Sequence, residues 1–287
     1  MSKTISKVVV AGGGQAAATS IVSLRQWGFA GDITLVGDES ALPYQRPPLS
    51  KGFLEGDLSR ERLCLKTAQW YEDQGVSLHL GQRARAIDLD RRQLELDEQK
   101  IDYDALIIAT GSRPRPLDMP GANAENVMYL RNLTDVDQMR PHMAEGQRLV
   151  VIGAGYIGLE AAAVARQLGL SITVLEYAER VLTRVTSPAM SAFFERVHRD
   201  EGVEIITGAR IAGFSVEKNA VTAIELDDGS SVPADLVLIG IGILPNQELA
   251  SDAGLTCSDG IVVDRDARTR HADVYAVGDV TRRPLVH

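Results

Sequence analysis

A chain of 287 residues, 45% hydrophobic and 24% charged with a net charge of -9, has the make-up of an ordinary soluble globular protein of about two domains. The acidic balance argues against a nucleic-acid partner. No apolar run reaches membrane-spanning length, because the longest candidate, residues 149–165, carries Glu160. Met1-Ser2-Lys3-Thr4 leads into an apolar run too short and too glycine-interrupted for a signal peptide, so the cytoplasm is the expected location.

The first predicted element is a buried strand, Val8-Val9-Val10-Ala11, followed by the turn Gly12-Gly13-Gly14-Gln15-Ala16-Ala17 and a helix. Such a turn leaves the first helical amides free to cradle a pyrophosphate. Its first glycine permits the tight turn, the second lets the phosphate approach, and a small third residue, here Ala17, lets helix pack on strand. The next strand, Ile33-Thr34-Leu35-Val36-Gly37, ends at Asp38 and Glu39, placed either to bond a ribose hydroxyl or simply to meet solvent. Trp27 and Trp70 sit in apolar helical patterns and are expected in the core. Cys64 and Cys257 are the only cysteines; they form neither a disulfide framework nor a redox Cys-x-x-Cys pair and read as isolated buried thiols. Leu94-Glu95-Leu96 alternates as a half-buried strand, and residues 104–111 read as a closing buried strand ending in Ala109-Thr110-Gly111.

After a proline-rich joint, Arg113-Pro114-Arg115-Pro116 through Pro120-Gly121, the same design returns. Leu149-Val150-Val151-Ile152 leads into Gly153-Ala154-Gly155-Tyr156-Ile157-Gly158, and Ile172-Thr173-Val174-Leu175 ends at Glu176. Ile224-Glu225-Leu226, turned by Asp228-Gly229, precedes the second closer, residues 235–242. One glycine-rich turn is weak evidence; two, each with its strand-end acid, imply two bound dinucleotides. A carboxylate at Glu176 bonds ribose hydroxyls and repels a 2'-phosphate, which favours NADH over NADPH. Arg180 and Arg184, just beyond, are placed to soften that preference. A second joint, Leu244-Pro245-Asn246, precedes Asp273-Val274-Tyr275-Ala276-Val277-Gly278-Asp279, a strand that returns to the first unit. Asn132-Leu133-Thr134 matches a glycosylation triplet without meaning in the cytoplasm. The five histidines lack ligand spacing, and the arginine-rich pieces at 60–66 and 265–270 read as solvated faces, with docking of an acidic partner protein as the alternative.

With both fingerprints in place, Leu42-Pro43-Tyr44-Gln45-Arg46-Pro47-Pro48-Leu49-Ser50-Lys51, Gly158-Leu159-Glu160 and the Gly278-Asp279 turn resemble the FAD-dependent, NADH-linked ferredoxin reductases of bacterial cytochrome P450 and aromatic-ring dioxygenase systems, the putidaredoxin reductase group. The likeness covers nearly all of the chain. It implies an α/β fold of tandem two-dinucleotide-binding Rossmann-like domains, the glutathione-reductase-like FAD/NAD(P)-binding fold. The expected domains are 1–115 and 244–287 for FAD and 116–243 for NAD, with the C-terminal interface domain of the group, about a hundred further residues, absent. The resemblance assigns FAD to Gly12, Gly14, Ala16, Ala17, Asp38, Glu39, Arg46, Lys51, Ala84, Ala109, Thr110, Gly111, Arg131 and Asp279, the last on the ribitol chain. NADH falls to Gly153, Gly155, Tyr156, Ile157, Gly158, Glu160, Glu176, Arg184 and Gly242. Lys51 and Glu160 are implied as a catalytic pair, the ammonium stabilising charge on the reduced flavin ring, although Glu160 also suits a helix N-terminal region on its own. Hydride then passes from NADH to FAD, and single electrons pass to a [2Fe-2S] ferredoxin. Alternative readings are an NADH oxidase or quinone-type reductase, a non-catalytic dinucleotide-sensing docking module, and a structural remnant.

Overall fold

The computed structural model describes residues 4–284; the readings at the extreme ends, Met1 to Lys3 and Leu285 to His287, lie outside the described residues. The chain divides into two compact units. One comprises Met1–Gln45, Glu61–Arg113 and Leu244–His287, the other Arg46–Arg60 and Pro114–Ile243.

Each unit is built on a five-stranded parallel sheet. In the first the order is Val274–Ala276, Ala105–Ile108, Lys7–Ala11, Asp32–Gly37, Val76–Leu80. In the second it is Val127–Met128, Leu236–Ile239, Arg148–Ile152, Ser171–Glu176, Glu204–Thr207. Strands covered on both faces read as unbroken apolar runs, and Val8 to Ala11 and Leu149 to Ile152 are all buried. One face of the first sheet packs Val10 and Leu35 against Ile21 of the helix Gln15–Gln26. The other packs Val9 and Leu106 against Ile87 and Leu94 of a three-stranded antiparallel sheet. The second unit repeats this cover, with Val150 and Val237 packed against Ile224 and Leu226.

The repeat extends to single hydrogen bonds. Asp104, just before the first closing strand, accepts the backbone N–H groups of Ser6 (2.9 Å) and Lys7 (3.0 Å). Asp235, just before the second, accepts the N–H of Arg148 (2.9 Å) and pairs with its guanidinium (2.6 Å). Each carboxylate staples the start of a fingerprint strand to its closer.

Three expectations change. Residues 46–60, placed by sequence in the first domain, pack with the second unit: Leu49, Phe53 and Leu54 are buried, and the Arg46 guanidinium donates to the Arg131 carbonyl (2.8 Å). Trp27 is 90% exposed, because the helix ends at Gln26 and the left-handed Gly28 turns the chain away. Trp70 is half-buried and packs on the core. Cys64 and Cys257 are free thiols but half-buried rather than buried. The triplet at Asn132 is a helix start, Asn132 and Asp135 forming a reciprocal capping box at Leu133–Met139. Among the described residues no helix is long and apolar enough to cross a membrane.

At Gly153 the backbone has φ +103 and an added Cβ would stand 2.5 Å from the Gly240 carbonyl oxygen. Gly153→Ala is therefore expected to cost about 3 kcal/mol or more of stability, read from urea unfolding. Arg148 beside Asp235 holds that carboxyl below its ordinary value of 3.8, so its contribution is complete above that value and is lost as pH falls through the lower folded-state value. The urea midpoint of Asp235→Asn should accordingly fall less between pH 5 and pH 2, taken as roughly the carboxylate range, than that of the wild type.

Candidate functional site

Both fingerprint turns are shaped by what a side chain would strike. At Gly12 a Cβ would lie 2.1 Å from the Ala109 carbonyl oxygen, and at Gly158 2.2 Å from that of Gly153. These glycines let strand, closer and helix approach. At Gly14 and Gly155 an added Cβ would meet nothing within 4 Å: the space beside the helix start is open. Gly14 and Gly155 are the N-cap residues of Gln15–Gln26 and Tyr156–Gln167, and neither helix has a side-chain cap or an acidic residue in its first turn. Two sets of helix N-terminal amides thus face open space without a carboxylate to satisfy them, an arrangement that fits a pyrophosphate at each.

In the first unit the strand Asp32–Gly37 ends at an exposed Asp38 and at Glu39, which accepts the Tyr44 hydroxyl at 2.5 Å. The closing turn is clasped by Asn246, which donates its side-chain amide to the Thr110 carbonyl (2.9 Å) while its own carbonyl accepts the Thr110 hydroxyl (2.8 Å). Ser112 donates to the Asp279 carboxylate (3.1 Å). Ala16 lies so near Gly278 that a Cβ there would come within 2.7 Å of it, which brings the expected ribitol ligand, Asp279, up to the first fingerprint turn. Ala84 is half-buried against the core.

The second unit contains a cavity of about 730 Å³ whose lining includes Gly153, Gly155, Tyr156, Glu176, Arg184 and Gly242. Glu176 is held hard: one carboxylate oxygen accepts the N–H of Ala154 (2.6 Å), inside the turn, and the other that of Ala178 (2.9 Å). It therefore shapes the turn as well as presenting charge to the cavity. Ile157 and Gly158 do not line it. Ile157 is exposed, while Gly158 serves helix packing. Arg180, expected as a partner for a phosphate, instead donates to the Ser191 hydroxyl (2.5 Å) and to the carbonyls of Thr183 (3.0 Å) and Thr186 (3.1 Å). It ties down the loop before Pro188–Asp200.

Lys51 and Glu160 meet within the second unit. The ammonium donates to Glu160 Oε2 at 2.5 Å and to the Pro47 carbonyl at 3.2 Å. Ser50, only 5% exposed, donates its hydroxyl to the same Oε2 at 2.6 Å. Sequence reasoning missed Ser50, although its place beside Lys51 in the proline-rich motif was the available signal. Among the FAD residues implied by resemblance, Arg46, Lys51 and Arg131 belong to the second unit and the rest to the first. Among the described residues no cluster of His, Cys, Asp or Glu is placed to hold a metal ion.

The model of the pyridine nucleotide-disulphide oxidoreductase family matches residues 6–287. The chain belongs to that family. Within it, the chain groups with the putidaredoxin reductase-like ferredoxin reductases. It is 45% identical over 281 residues to putidaredoxin reductase of Pseudomonas putida, covering 96% of this chain and 67% of that one. Rhodocoxin reductase of Rhodococcus erythropolis is 43% identical, with 97% and 65% covered. A crystal structure of the covalent putidaredoxin reductase-putidaredoxin complex superposes with a TM-score of 0.94 at 44% identity, covering 97% of this chain and 68% of that one. The chain thus spans about two-thirds of the length of these family members.

In this family member the open turn at Gly155 makes a clean test. Gly155→Ala should fold normally, since its φ of -80 suits any residue, yet should weaken ADP-ribose binding about tenfold in calorimetry by filling the phosphate approach.

Proposed function

We propose that the chain is an FAD-dependent NADH:ferredoxin reductase of the cytoplasm, taking a hydride from NADH and delivering single electrons to a [2Fe-2S] ferredoxin that serves an oxygenase. The observation that carries this reading is the Lys51–Glu160 pair, closed at 2.5 Å and braced by Ser50 beside the second fingerprint helix. A module that merely sensed dinucleotides has no use for such a pair. The names of the relatives point the same way: one is the ferredoxin–NAD(+) reductase component of a p-cumate 2,3-dioxygenase system, 40% identical with 70% of its length covered.

The residues fit both nucleotides. FAD falls to the first turn, with Gly14 and Ala16 at the pyrophosphate, Asp38 and Glu39 at the adenosine ribose, and Asp279 at the ribitol; Gly12 and the fully buried Ala17, expected to touch the cofactor, instead let closing strand and helix pack close. Ala84, Ala109, Thr110 and Gly111 complete that set within the first unit. NADH falls to the cavity of the second unit, with Gly153, Gly155 and Tyr156 at its phosphates, Glu176 at the ribose, Arg184 at the adenosine end and Gly242 at the nicotinamide end. FAD, when bound, supplies the exchange between a two-electron donor and a one-electron acceptor.

The chain's own contribution is position and charge. Lys51 supplies a fixed positive charge where negative charge develops as the hydride is taken up. Glu160 orients that ammonium, and because Ser50 and Lys51 both use Oε2, its other oxygen remains to accept a carboxamide N–H. Ser50 keeps the carboxylate from swinging away, at the expense of burying its own hydroxyl in a hydrogen bond.

An anaerobic absorbance titration tests the reading. Bound FAD should bleach with about one equivalent of NADH, the stoichiometry of a two-electron transfer. Lys51→Met and Glu160→Gln should slow that bleaching roughly 10- to 100-fold while leaving the flavin band in place. Flavin that NADH cannot bleach would overturn the reading.

A further inference from the structure

Tyr177 follows Glu176 directly and lines the same cavity, yet the residue is 71% exposed. A ring left in water forgoes the burial that aromatic residues ordinarily gain. It is nevertheless held in place. The Arg210 guanidinium lies 5.7 Å from the ring centroid, a cation–π contact that occupies one face of the ring. The backbone on both sides is anchored as well: the N–H of Ala178 donates to the Glu176 carboxylate (2.9 Å), and the N–H of Ala209, next to Arg210, donates to the Glu176 carbonyl (2.9 Å). Tyr177 is therefore a flat apolar surface at the cavity rim, backed by a cation on one face.

A ribose whose hydroxyls rest on Glu176 carries its base on the adjoining ring carbon, within reach of the side chain that follows Glu176. The other aromatic residue lining the cavity, Tyr156, stands at the helix start beside the phosphate turn, at the wrong end for the base. We propose that Tyr177, backed by Arg210, stacks on the adenine ring of the nicotinamide dinucleotide and sets the affinity for its adenosine half. The inference rests on the nucleotide reading of the cavity given above. It assigns Tyr177 a role in binding alone, because adenine lies at the opposite end of the dinucleotide from the reacting carbon.

The test is calorimetric titration of ADP-ribose into the wild type, Tyr177→Phe, Tyr177→Ala and Arg210→Ala, with thermal melting by circular dichroism as the folding control. Tyr177→Ala should weaken ADP-ribose about tenfold, the scale of one base–aromatic stack. Tyr177→Phe, which keeps the ring, should bind within about twofold of the wild type, and Arg210→Ala should fall between. In steady-state reduction of an artificial electron acceptor, Tyr177→Ala should raise KM for NADH by about the same tenfold. With reduced nicotinamide mononucleotide, a donor without adenosine, it should match the wild type. Equal ADP-ribose affinity in Tyr177→Ala and wild type overturns the stacking, and so does an equal loss toward reduced nicotinamide mononucleotide, which would mean that the residue only shapes the cavity. A wild-type chain with no affinity for ADP-ribose overturns the nucleotide reading of the cavity itself.

Discussion

A β-carbon at Gly12 would stand 2.1 Å from the Ala109 carbonyl oxygen, and one at Gly153 2.5 Å from that of Gly240. The chain can pass from strand to helix beneath the closing strand at these points only without a side chain. That crossing sets the helix start over the end of the sheet, where the strand order reverses direction from the central strand and a crevice opens beyond the carboxyl ends. With Gly14 and Gly155 as N-caps, the amides of each helix start have no side-chain acceptor, so the same geometry that closes the fold opens a place for an anion. The staples at Asp104 and Asp235 act at the other end of the same strands, fixing the register from which the crossing follows.

Lys51 and Glu160 show how a charged pair can be kept ready. Two donors converge on one carboxylate oxygen, each bond assisted by the carboxylate's charge, and this settles which oxygen remains available. The proline-rich lead-in serves it: Pro47 and Pro48 begin a short 3-10 turn, Pro47 offers its carbonyl to the ammonium, and Phe53 and Leu54 bury the far side of the segment. This packing explains why residues 46–60 join the unit that holds Glu160.

Much of the fold was legible because it depends on local signals. The two fingerprint strand runs, 8–11 and 149–152, are buried throughout, the two glycine turns lie between strand and helix, and the duplicated closers pair beside their fingerprint strands. The Lys51–Glu160 pair was legible through family resemblance, since the two residues are 109 positions apart and no periodicity links them. What escaped was set by tertiary context. Trp27 lies one residue past the last helical turn, where the apolar pattern stops reporting burial. The side chain of Arg180 is claimed by a hydroxyl and two carbonyls that sequence alone does not place near it. The membership of residues 46–60 depends on contacts with residues more than eighty positions away.

Glu176, in the cavity of the second unit, is held rigidly from both sides. A carboxylate on a free strand end could swing out and let a phosphate take its place; this one is tied by Ala154 on one side and Ala178 on the other. Moving it would break a bond inside the phosphate turn, so admitting a 2'-phosphate costs loop order as well as like-charge repulsion. Of the two cations that follow Glu176 in sequence, Arg180 is committed to its own loop, whereas Arg184 lines the cavity. The charge that Glu176 presents to the cavity is thus fixed by the same hydrogen bond that shapes the glycine-rich turn, and belongs to the fold rather than to a free strand end.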